Sequence, residues 1–278
     1  MRIAMLLATI LALSGCGGAR CPTTLHTDAR TALDMAASMR APARVMRAEA
    51  RVDRRDAEGR VRGTVLMIVE RPERVRFDVM TQFGPAAILT SDGSSFALTD
   101  LREDRYFHGP PCAENIERLL GLPLGAEEVG LLLFGLTPTI EASEEQIVCD
   151  GGSYRVTLRA TDGRRQELVL AVRQADVEAP IEEQRMRLRS TEVFTADGAL
   201  EWRVTFDDHR FVEDPATTAT PREGIAMPYR IRFEMPSRGI DTLVRFERIE
   251  LNTPVVEGTF TQTPRPGLSI EQVECGGP

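Results

Sequence analysis

The sequence has no lysine, only three histidines and a single tryptophan, and all 34 basic residues are arginine. Its formal net charge is −8, and no stripe of basic residues interrupts the acidic background. Such a chain is a poor nucleic-acid binder, because the phosphate backbone requires concentrated positive charge. The composition therefore predicts that the protein has no nucleic-acid partner.

Motifs for catalysis and metal binding are missing as well. The chain contains no GxSxG nucleophile turn, no HExxH zinc motif and no glycine-rich phosphate loop. The one metal candidate, Asp207-Asp208-His209, lies at a strand end and is more simply interpreted as solvated. We therefore predict a protein that is not an enzyme and that holds no metal or cofactor.

No apolar stretch reaches the ~20 residues that a membrane-spanning helix needs. The N-terminal apolar run, residues 3–13, follows a single arginine and ends in Leu13-Ser14-Gly15-Cys16. This order is typical of a bacterial lipoprotein signal, in which the cysteine after the cleavage site is lipidated. We predict a signal peptide at 1–15, lipidation of Cys16 and a tether at 16–26. The alternative is a plain signal peptide with an incidental Cys16.

The residue after the lipidated cysteine indicates the membrane. In Gram-negative lipoproteins an aspartate at this position retains the protein at the inner membrane, whereas this chain has Gly17. The predicted location is therefore the periplasmic face of the outer membrane, with the protein anchored to the membrane by its lipid.

Four cysteines remain after Cys16, an even number in an oxidising compartment. Two disulfides among Cys21, Cys112, Cys149 and Cys275 are expected, and three pairings are possible. We favour Cys112–Cys149, which would clip the helical segment, and Cys21–Cys275, which would tie the termini. A metal site is the alternative, but no CxxC pair and no histidine near a cysteine supports it.

Short runs of alternating polar and apolar residues, separated by turn residues, dominate the rest of the chain. Three segments have helical spacing instead, at 27–41, 113–120 and 127–135. The pattern predicts a mainly β (α+β) fold over residues 27–278. We expect one curved antiparallel sheet of about 11–12 strands, covered by about three helices.

One turn within residues 74–100 is unusual, because Phe83 occupies the tip between Gln82 and Gly84-Pro85. Loops face water, so an aromatic residue at a turn tip is either folded back onto the core or presented to an apolar partner. The alternating pattern leaves both possibilities open, and the predicted membrane location favours the second.

Three segments resemble the LolA/LolB lipoprotein-carrier family, particularly its LolB branch of outer-membrane lipoprotein receptors. They are Val79-Met80-Thr81-Gln82-Phe83-Gly84, Asn115-Ile116-Glu117-Arg118-Leu119-Leu120-Gly121-Leu122-Pro123 and Leu132-Leu133-Phe134-Gly135-Leu136. The resemblance covers roughly residues 45–175 and continues more loosely to 251. The chain departs from the family in an extra segment at about 179–223, and in Gln82 where the family turn often has proline.

The resemblance implies an unclosed β-barrel with an apolar interior under helices, which holds the acyl chains of a lipoprotein. It implies that the turn Phe83-Gly84-Pro85 touches the membrane, and that partners include acyl chains of lipoproteins or other lipids and a soluble periplasmic lipoprotein carrier. A lining for acyl chains must be apolar. The candidate lining residues are Met46, Ala48, Ala50, Leu66, Ile68, Phe77, Val79, Leu132, Leu133 and Phe134.

Two functions therefore follow from the sequence. The first is a lipid-anchored protein of the outer membrane that binds acyl chains and acts in lipoprotein or lipid localisation. The second is a non-catalytic envelope scaffold or complex subunit, in which the same apolar residues pack only against each other. An internal apolar cavity that opens to solvent distinguishes the first from the second.

Overall fold

A computed structural model describes residues 19–215 and 224–276 of the chain. In these residues, 14 strands form one sheet, and three α-helices lie against it. The strands are β1 (Val45–Asp56), β2 (Gly59–Glu70), β3 (Arg74–Thr81), β4 (Gly84–Ser91), β5 (Phe96–Asp100), β6 (Arg105–Gly109), β7 (Glu144–Asp150), β8 (Ser153–Arg159), β9 (Arg165–Val172), β10 (Met186–Phe194), β11 (Leu200–Val212), β12 (Ile225–Met235), β13 (Ile240–Leu251) and β14 (Ser269–Gln272). The helices are α1 (Ala29–Ser38), α2 (Ala113–Leu120) and α3 (Ala126–Leu133).

The sheet consists of two antiparallel meanders joined side by side. Strands β1 to β6 form one meander, β7 to β13 form the other, and β1 pairs with β13 between them. The short β14 adds to the outer edge of β6 in parallel orientation. Because β14 and β7 end the order without pairing to each other, the barrel is unclosed, as predicted.

The described sheet has more strands than the 11–12 expected. Strand β14 lies in the proline-rich tail, and its hydrogen-bonding partner is β6, more than 150 residues earlier in the chain. Local alternation reports which residues of a strand face the core, but it carries no information about such a distant partner. The mainly β class and the three helices are confirmed.

Strands form where one face is apolar. In β9 the buried residues Gln166, Leu168, Leu170 and Val172 alternate with half-buried ones. In β8 the buried Tyr154, Val156 and Leu158 do the same. The buried faces of both meanders belong to one continuous core, which the helices cover.

Each helix begins and ends at a residue suited to that position. The Asp28 carboxylate accepts a hydrogen bond from the Thr31 amide at 2.6 Å and so caps α1. Gly121 ends α2 in the left-handed conformation with φ 64°. The Glu128 carboxylate accepts from the Gly125 amide at 2.8 Å and closes the first turn of α3. Helix α1 packs on β10 and β7, α2 on β4 and β5, and α3 on β3 and β12.

The predicted disulfide pairing is wrong. The bonds are Cys21–Cys149 and Cys112–Cys275, with Cα–Cα distances of 6.0 and 5.9 Å. The reason is the sheet order: Cys149 is in β7 at one free edge, whereas Cys112 follows β6, the strand next to the other edge strand, β14. Each disulfide therefore ties one end of the described chain to one free edge of the sheet.

Within the described ranges, none of the helices has the length and apolar character that a membrane-spanning helix requires. The predicted signal peptide, the predicted lipidation site Cys16 and residues 17–18 of the predicted 16–26 tether fall among residues 1–18, which lie outside the described residues.

Candidate functional site

A cavity of about 160 Å³ lies between the sheet and the helix pair α2–α3. Strands β1, β2, β3 and β13 form its floor, and the two helices with the loop between them form its roof. The residues that line it are Val52, Arg54, Val61, Arg62, Gly63, Val65, Met67, Phe77, Val79, Leu119, Leu120, Leu122, Val129, Leu133, Thr242 and Val244. Apolar side chains dominate this set, as a site for hydrocarbon requires.

The side-chain alternation of the strands produces the floor. On β2, Val65 and Met67 are buried and point to the same face. On β3, Phe77 is buried and Val79 is half-buried on that face, next to β2 through the pair Val65–Val79. The floor is thus a contiguous apolar area of neighbouring strands.

Helix α3 lies directly on the sheet, with Gly130 at the contact. A Cβ atom on Gly130 would be 3.4 Å from the Pro72 carbonyl oxygen and 3.6 Å from a Val69 methyl group. The helix is therefore seated as close as a side chain would allow. Val129 and Leu133, one turn apart on α3, project into the cavity.

The polar members of the lining are incompletely satisfied. Arg54 forms an ion pair with Asp56, and its guanidinium packs on Gly121 so closely that a Cβ there would be 1.8 Å from Cζ. The Arg54 Nε atom and the Thr242 hydroxyl are both buried and have no hydrogen-bond partner among the described residues. Buried polar atoms are usually paired, so two unpaired atoms in one cavity call for an explanation.

The cavity reaches the surface at one end of the barrel. Val61 belongs to the lining and is 65% exposed, so it forms the rim. Thr64 pairs with Met80 across β2 and β3. Phe83 follows Met80 by three residues and Val61 precedes Thr64 by three, so the Phe83 turn lies level with the cavity rim.

Phe83 is the most exposed large apolar residue described, at 91%. Its amide donates to the Thr81 hydroxyl at 3.2 Å, and that hydroxyl donates to the Gly84 carbonyl at 2.8 Å. Gly84 has φ 114°, a conformation in which glycine is the favoured residue. The turn is thus braced by its own hydrogen bonds, and the alternative in which Phe83 folds back onto the core is wrong.

The predicted lining residues divide into three groups. Phe77, Val79 and Leu133 line the cavity. Five others are buried in the core away from it: Met46, Ala48, Ala50, Leu132 and Phe134.

Leu66 and Ile68 are on the opposite, convex face of β2, where Leu66 is 39% exposed, so their assignment to the cavity is wrong. The apolar run Val65-Leu66-Met67-Ile68-Val69 has no polar residue to mark its outer face, and a shift of one residue exchanges the two faces. The residues that sequence reasoning missed include Val65 and Met67 from this run and Leu119, Leu120 and Val129 from the helices.

The described residues contain no group of three or more histidine, cysteine or acidic side chains placed to hold a metal ion. The Asp207-Asp208-His209 segment has arginine neighbours instead. Arg210 forms an ion pair with Asp208 and lowers the pKa of that carboxyl below its usual range.

The architecture defines a class: a single curved sheet, unclosed, with helices over its concave face and an apolar cavity beneath them. Solved structures share it. A DUF1329 family protein from Desulfovibrio piger has 11% identity and a TM-score of 0.54, with 84% of this chain and 97% of that chain covered. A LolA superfamily protein from Nitrosomonas europaea has 12% identity and a TM-score of 0.52, with 86% and 99% covered.

A putative outer membrane lipoprotein-sorting protein domain from Vibrio parahaemolyticus has 12% identity, with 84% and 97% covered and a TM-score of 0.49. No protein-family model and no curated protein matches the sequence. The first two structures show that this chain has the LolA-like fold that the sequence predicts.

Proposed function

We propose that this protein is a lipoprotein of the outer membrane, anchored on the periplasmic face through Cys16, that binds acyl chains under its helix lid. Its role in this proposal is the localisation of lipoproteins or other lipids. The observation that carries the proposal is an apolar cavity whose rim lies level with the exposed Phe83 turn. The similarity in fold to the solved LolA superfamily protein supports the proposal.

The cavity size sets how the ligand is held. A cavity of about 150 Å³ binds one benzene molecule, so the 160 Å³ under the lid accommodates a short hydrocarbon segment. Each buried CH₂ contributes about 0.8 kcal/mol. Binding a complete acyl chain therefore requires α2 and α3 to move away from β1–β3, and the small cavity corresponds to a closed state.

The two unpaired polar atoms have a place in this proposal. Arg54 Nε and the Thr242 hydroxyl lie in an otherwise apolar lining and find no partner in the described residues. Both are able to donate to a carbonyl oxygen. We assign them to the ester or amide carbonyl at the head of an acyl chain, which would satisfy donors that the protein leaves unpaired.

Phe83 is the proposed membrane contact. Gly84 and Pro85 complete the turn, with Pro85 paired to Met80 on β3. An aromatic ring on a braced turn gains free energy by entering a bilayer interface and loses no protein contact in doing so. Because the cavity rim lies level with this turn, contact with the bilayer would place the rim next to the acyl chains of the membrane.

The decisive experiment is native mass spectrometry of the Cys16→Ser protein, followed by uptake of a fluorescent acyl probe after delipidation. Bound acyl mass and saturable uptake are expected. Val79→Trp fills the cavity from β3 and should reduce uptake at least tenfold. Val148→Trp is the matched control, because Val148 is exposed on β7, far from the lid.

The second candidate is the non-catalytic scaffold, and the small cavity is the observation that favours it. A scaffold needs no movable lid and no ligand. Absence of bound acyl mass, together with equal and unsaturable probe uptake by the parent protein and by Val79→Trp, would exclude the carrier and leave the scaffold.

A further inference from the structure

A second cleft, of about 300 Å³, lies on the other meander, where strands β10 and β11 separate. The two strands pair only through Ser190–Phe194 and Leu200–Thr205. Beyond this region β10 continues along β9, and β11 continues along β12. The end of α1 and the turn after it lie at the resulting gap and contribute Met39 and Arg40 to the cleft.

The walls of this cleft combine arginine with large apolar side chains. Arg40, Arg173, Arg185 and Arg187 are the charged lining residues. The apolar lining consists of Met39, Pro42, Ala171, Met186, Phe211, Ile225 and Ala226. Among them Phe211 is 70% exposed, an unusual position for a phenylalanine with no apolar partner over it.

Arg40 is the residue that makes this more than a charged surface. It is only 3% exposed, its Nε atom is buried without a hydrogen-bond partner, and it forms no ion pair with any described residue. Burial and the nearby charge of Arg187 lower its pKa to about 10. Arg40 directly follows α1, so the negative end of the helix dipole offsets part of its charge. An otherwise uncompensated buried cation is costly unless something pairs with it.

Among the described residues, the other charged groups do not neutralise the charge of Arg40. Asp176 is paired with Arg185, through hydrogen bonds of 2.9 and 2.8 Å, and also faces Arg173. Arg187 has no ion pair among the described residues. Arg189 approaches Asp207 only at 3.7 Å.

His209, on β11, faces the same cations. Burial, followed by the charges of Arg187, Arg40 and Arg189, lowers its pKa to about 3, against an opposing contribution from Asp208. Its Nε2 atom is buried and unpaired in the described structure. A neutral imidazole with a free nitrogen therefore stands beside at least two unpaired guanidinium groups.

We propose that the cleft between β10 and β11 is a binding site for a phosphate-bearing amphiphile, with the phosphate between Arg40 and Arg187 and the apolar part against Phe211. Guanidinium groups match phosphate oxygens bidentately, so two neighbouring arginines suit a phosphate group. The volume of about 300 Å³ is within the range of small-ligand sites. The proposal is independent of acyl binding under the lid.

The test uses the Cys16→Ser chain, which carries no acyl group of its own, and isothermal titration at low and moderate salt. The probes are inorganic phosphate, dihexanoyl phosphatidic acid and dihexanoyl phosphatidylcholine. Phosphatidic acid should bind at least tenfold more tightly than the other two, and added salt should weaken binding. Equal affinity for inorganic phosphate would assign the site to free phosphate and overturn the amphiphile. Phosphatidylcholine, in which the choline ammonium offsets the phosphate charge, is the control for charge. Absence of binding by inorganic phosphate and by phosphatidic acid would overturn the site.

Three variants locate the binding. Arg187→Gln should weaken phosphatidic acid binding at least tenfold, whereas Arg245→Gln, an exposed arginine on β13 outside the cleft, should not. Phe211→Ser should remove the preference for the amphiphile over inorganic phosphate. Val79→Trp, which fills the lid cavity, should leave binding unchanged. A loss in Val79→Trp without a loss in Arg187→Gln would place the ligand under the lid and overturn the proposal.

The Arg40→Met variant distinguishes a ligand-binding arginine from a structural one. Because the ligand-free protein buries this charge without a partner, its removal should raise the melting temperature while it abolishes phosphatidic acid binding. A lower melting temperature would identify Arg40 as a structural residue and overturn its assignment.

In the parent protein, phosphatidic acid should also shift the His209 ring signals in NMR and raise the pKa of His209, because the anion offsets the arginine charges.

Discussion

The two meanders of this sheet differ in how the polar groups buried on their concave faces are paired. The first, β1–β6 with α2 and α3, encloses an apolar cavity in which the Thr242 hydroxyl, contributed by the adjoining β13, is left unpaired. The second, β7–β13 with α1, buries a network of paired polar groups around Gln166. Gln166 donates to the Pro138 carbonyl and the Thr191 hydroxyl, both at 2.9 Å, and accepts from the Ile140 amide at 2.9 Å.

The same contrast extends to the N-terminal segment. The Tyr154 hydroxyl on β8 accepts from the His26 amide at 3.1 Å and donates to the Gln184 side chain at 3.2 Å. Gln184 in turn donates to the Thr24 carbonyl at 2.8 Å. Paired buried polar groups hold one arrangement of the chain, whereas unpaired ones leave an unmet preference for a ligand. Paired polar networks therefore mark the parts of the sheet that hold one arrangement, and unpaired polar atoms mark the two cavities for which we propose ligands.

The largest effect is expected from the disulfides, one at each free edge. Replacing either pair by serine, Cys21 with Cys149 or Cys112 with Cys275, should cost about 2–5 kcal/mol of unfolding free energy. The sequence separations are 128 and 163, so chain entropy alone makes the two losses differ by less than about 0.3 kcal/mol. Denaturant unfolding measures both. A larger difference between the two losses would show that one edge of the sheet depends more on its disulfide than the other edge does.

Gln166→Leu should be the most damaging single substitution of a polar residue in the second meander. It preserves volume but leaves the Pro138 carbonyl, the Thr191 hydroxyl and the Ile140 amide without their partner. Unsatisfied buried groups cost about 1–3 kcal/mol each, so a loss of about 3 kcal/mol is expected in urea unfolding. Gln82→Leu, at the exposed turn, is the control. Equal stability of the two variants would contradict the contrast between the meanders.

Stability should fall as the pH decreases from about 6.5 toward 5. The pKa of His209 is about 3 in the folded protein, so His209 is neutral when folded and takes up a proton on unfolding. Burial also lowers the pKa of His26, which therefore adds to the loss in the same direction. The loss therefore begins at the unfolded-state pKa of about 6.5 and should reach roughly 1–2 kcal/mol at pH 5. His209→Gln should flatten this dependence. Thermal unfolding across this pH window measures the slope.

Thr242→Val tests whether the unpaired hydroxyl in the cavity of the first meander lowers the stability of the protein. The two side chains have nearly the same shape, and the threonine hydroxyl is buried without a partner. Removing it should leave the protein as stable or raise stability by about 0.5–1 kcal/mol. Acyl-probe affinity should fall at the same time. A clear loss of stability would mean that the hydroxyl is already satisfied in the folded protein, which would remove one support for the ligand.

The smallest effect on stability is expected for Phe83→Ala, within about ±0.5 kcal/mol, because an exposed side chain contributes few contacts. Binding of the Cys16→Ser protein to vesicles that contain anionic phospholipid should nevertheless decrease severalfold in flotation. Val256→Ala, another exposed apolar residue at 75%, is the matched control. Equal flotation of the two variants would show that Phe83 does not contact the membrane.

Sequence reasoning succeeded where the relevant information was local. Alternation and turn residues predicted the mainly β class, Gly121 marked the end of α2, and the turn around Phe83 was identified by its composition alone. It failed on β2, because Leu66 and Ile68 lie in a run that is apolar on both faces. The candidate site was therefore predicted in part: Phe77, Val79 and Leu133 were found, while Val65 and Met67 were assigned no role.

By itself the sequence determined the class of fold, most of the strand and helix segments, the four cysteines available for pairing and the aromatic residue at a turn tip, because each depends on neighbours in the chain. The tertiary structure alone decided the disulfide partners, the pairing of β14 with β6, and the placement of Arg40 and Arg187 in one cleft. These depend on which strands lie side by side. Strand order is set by packing of the whole core, which no short segment of the sequence determines.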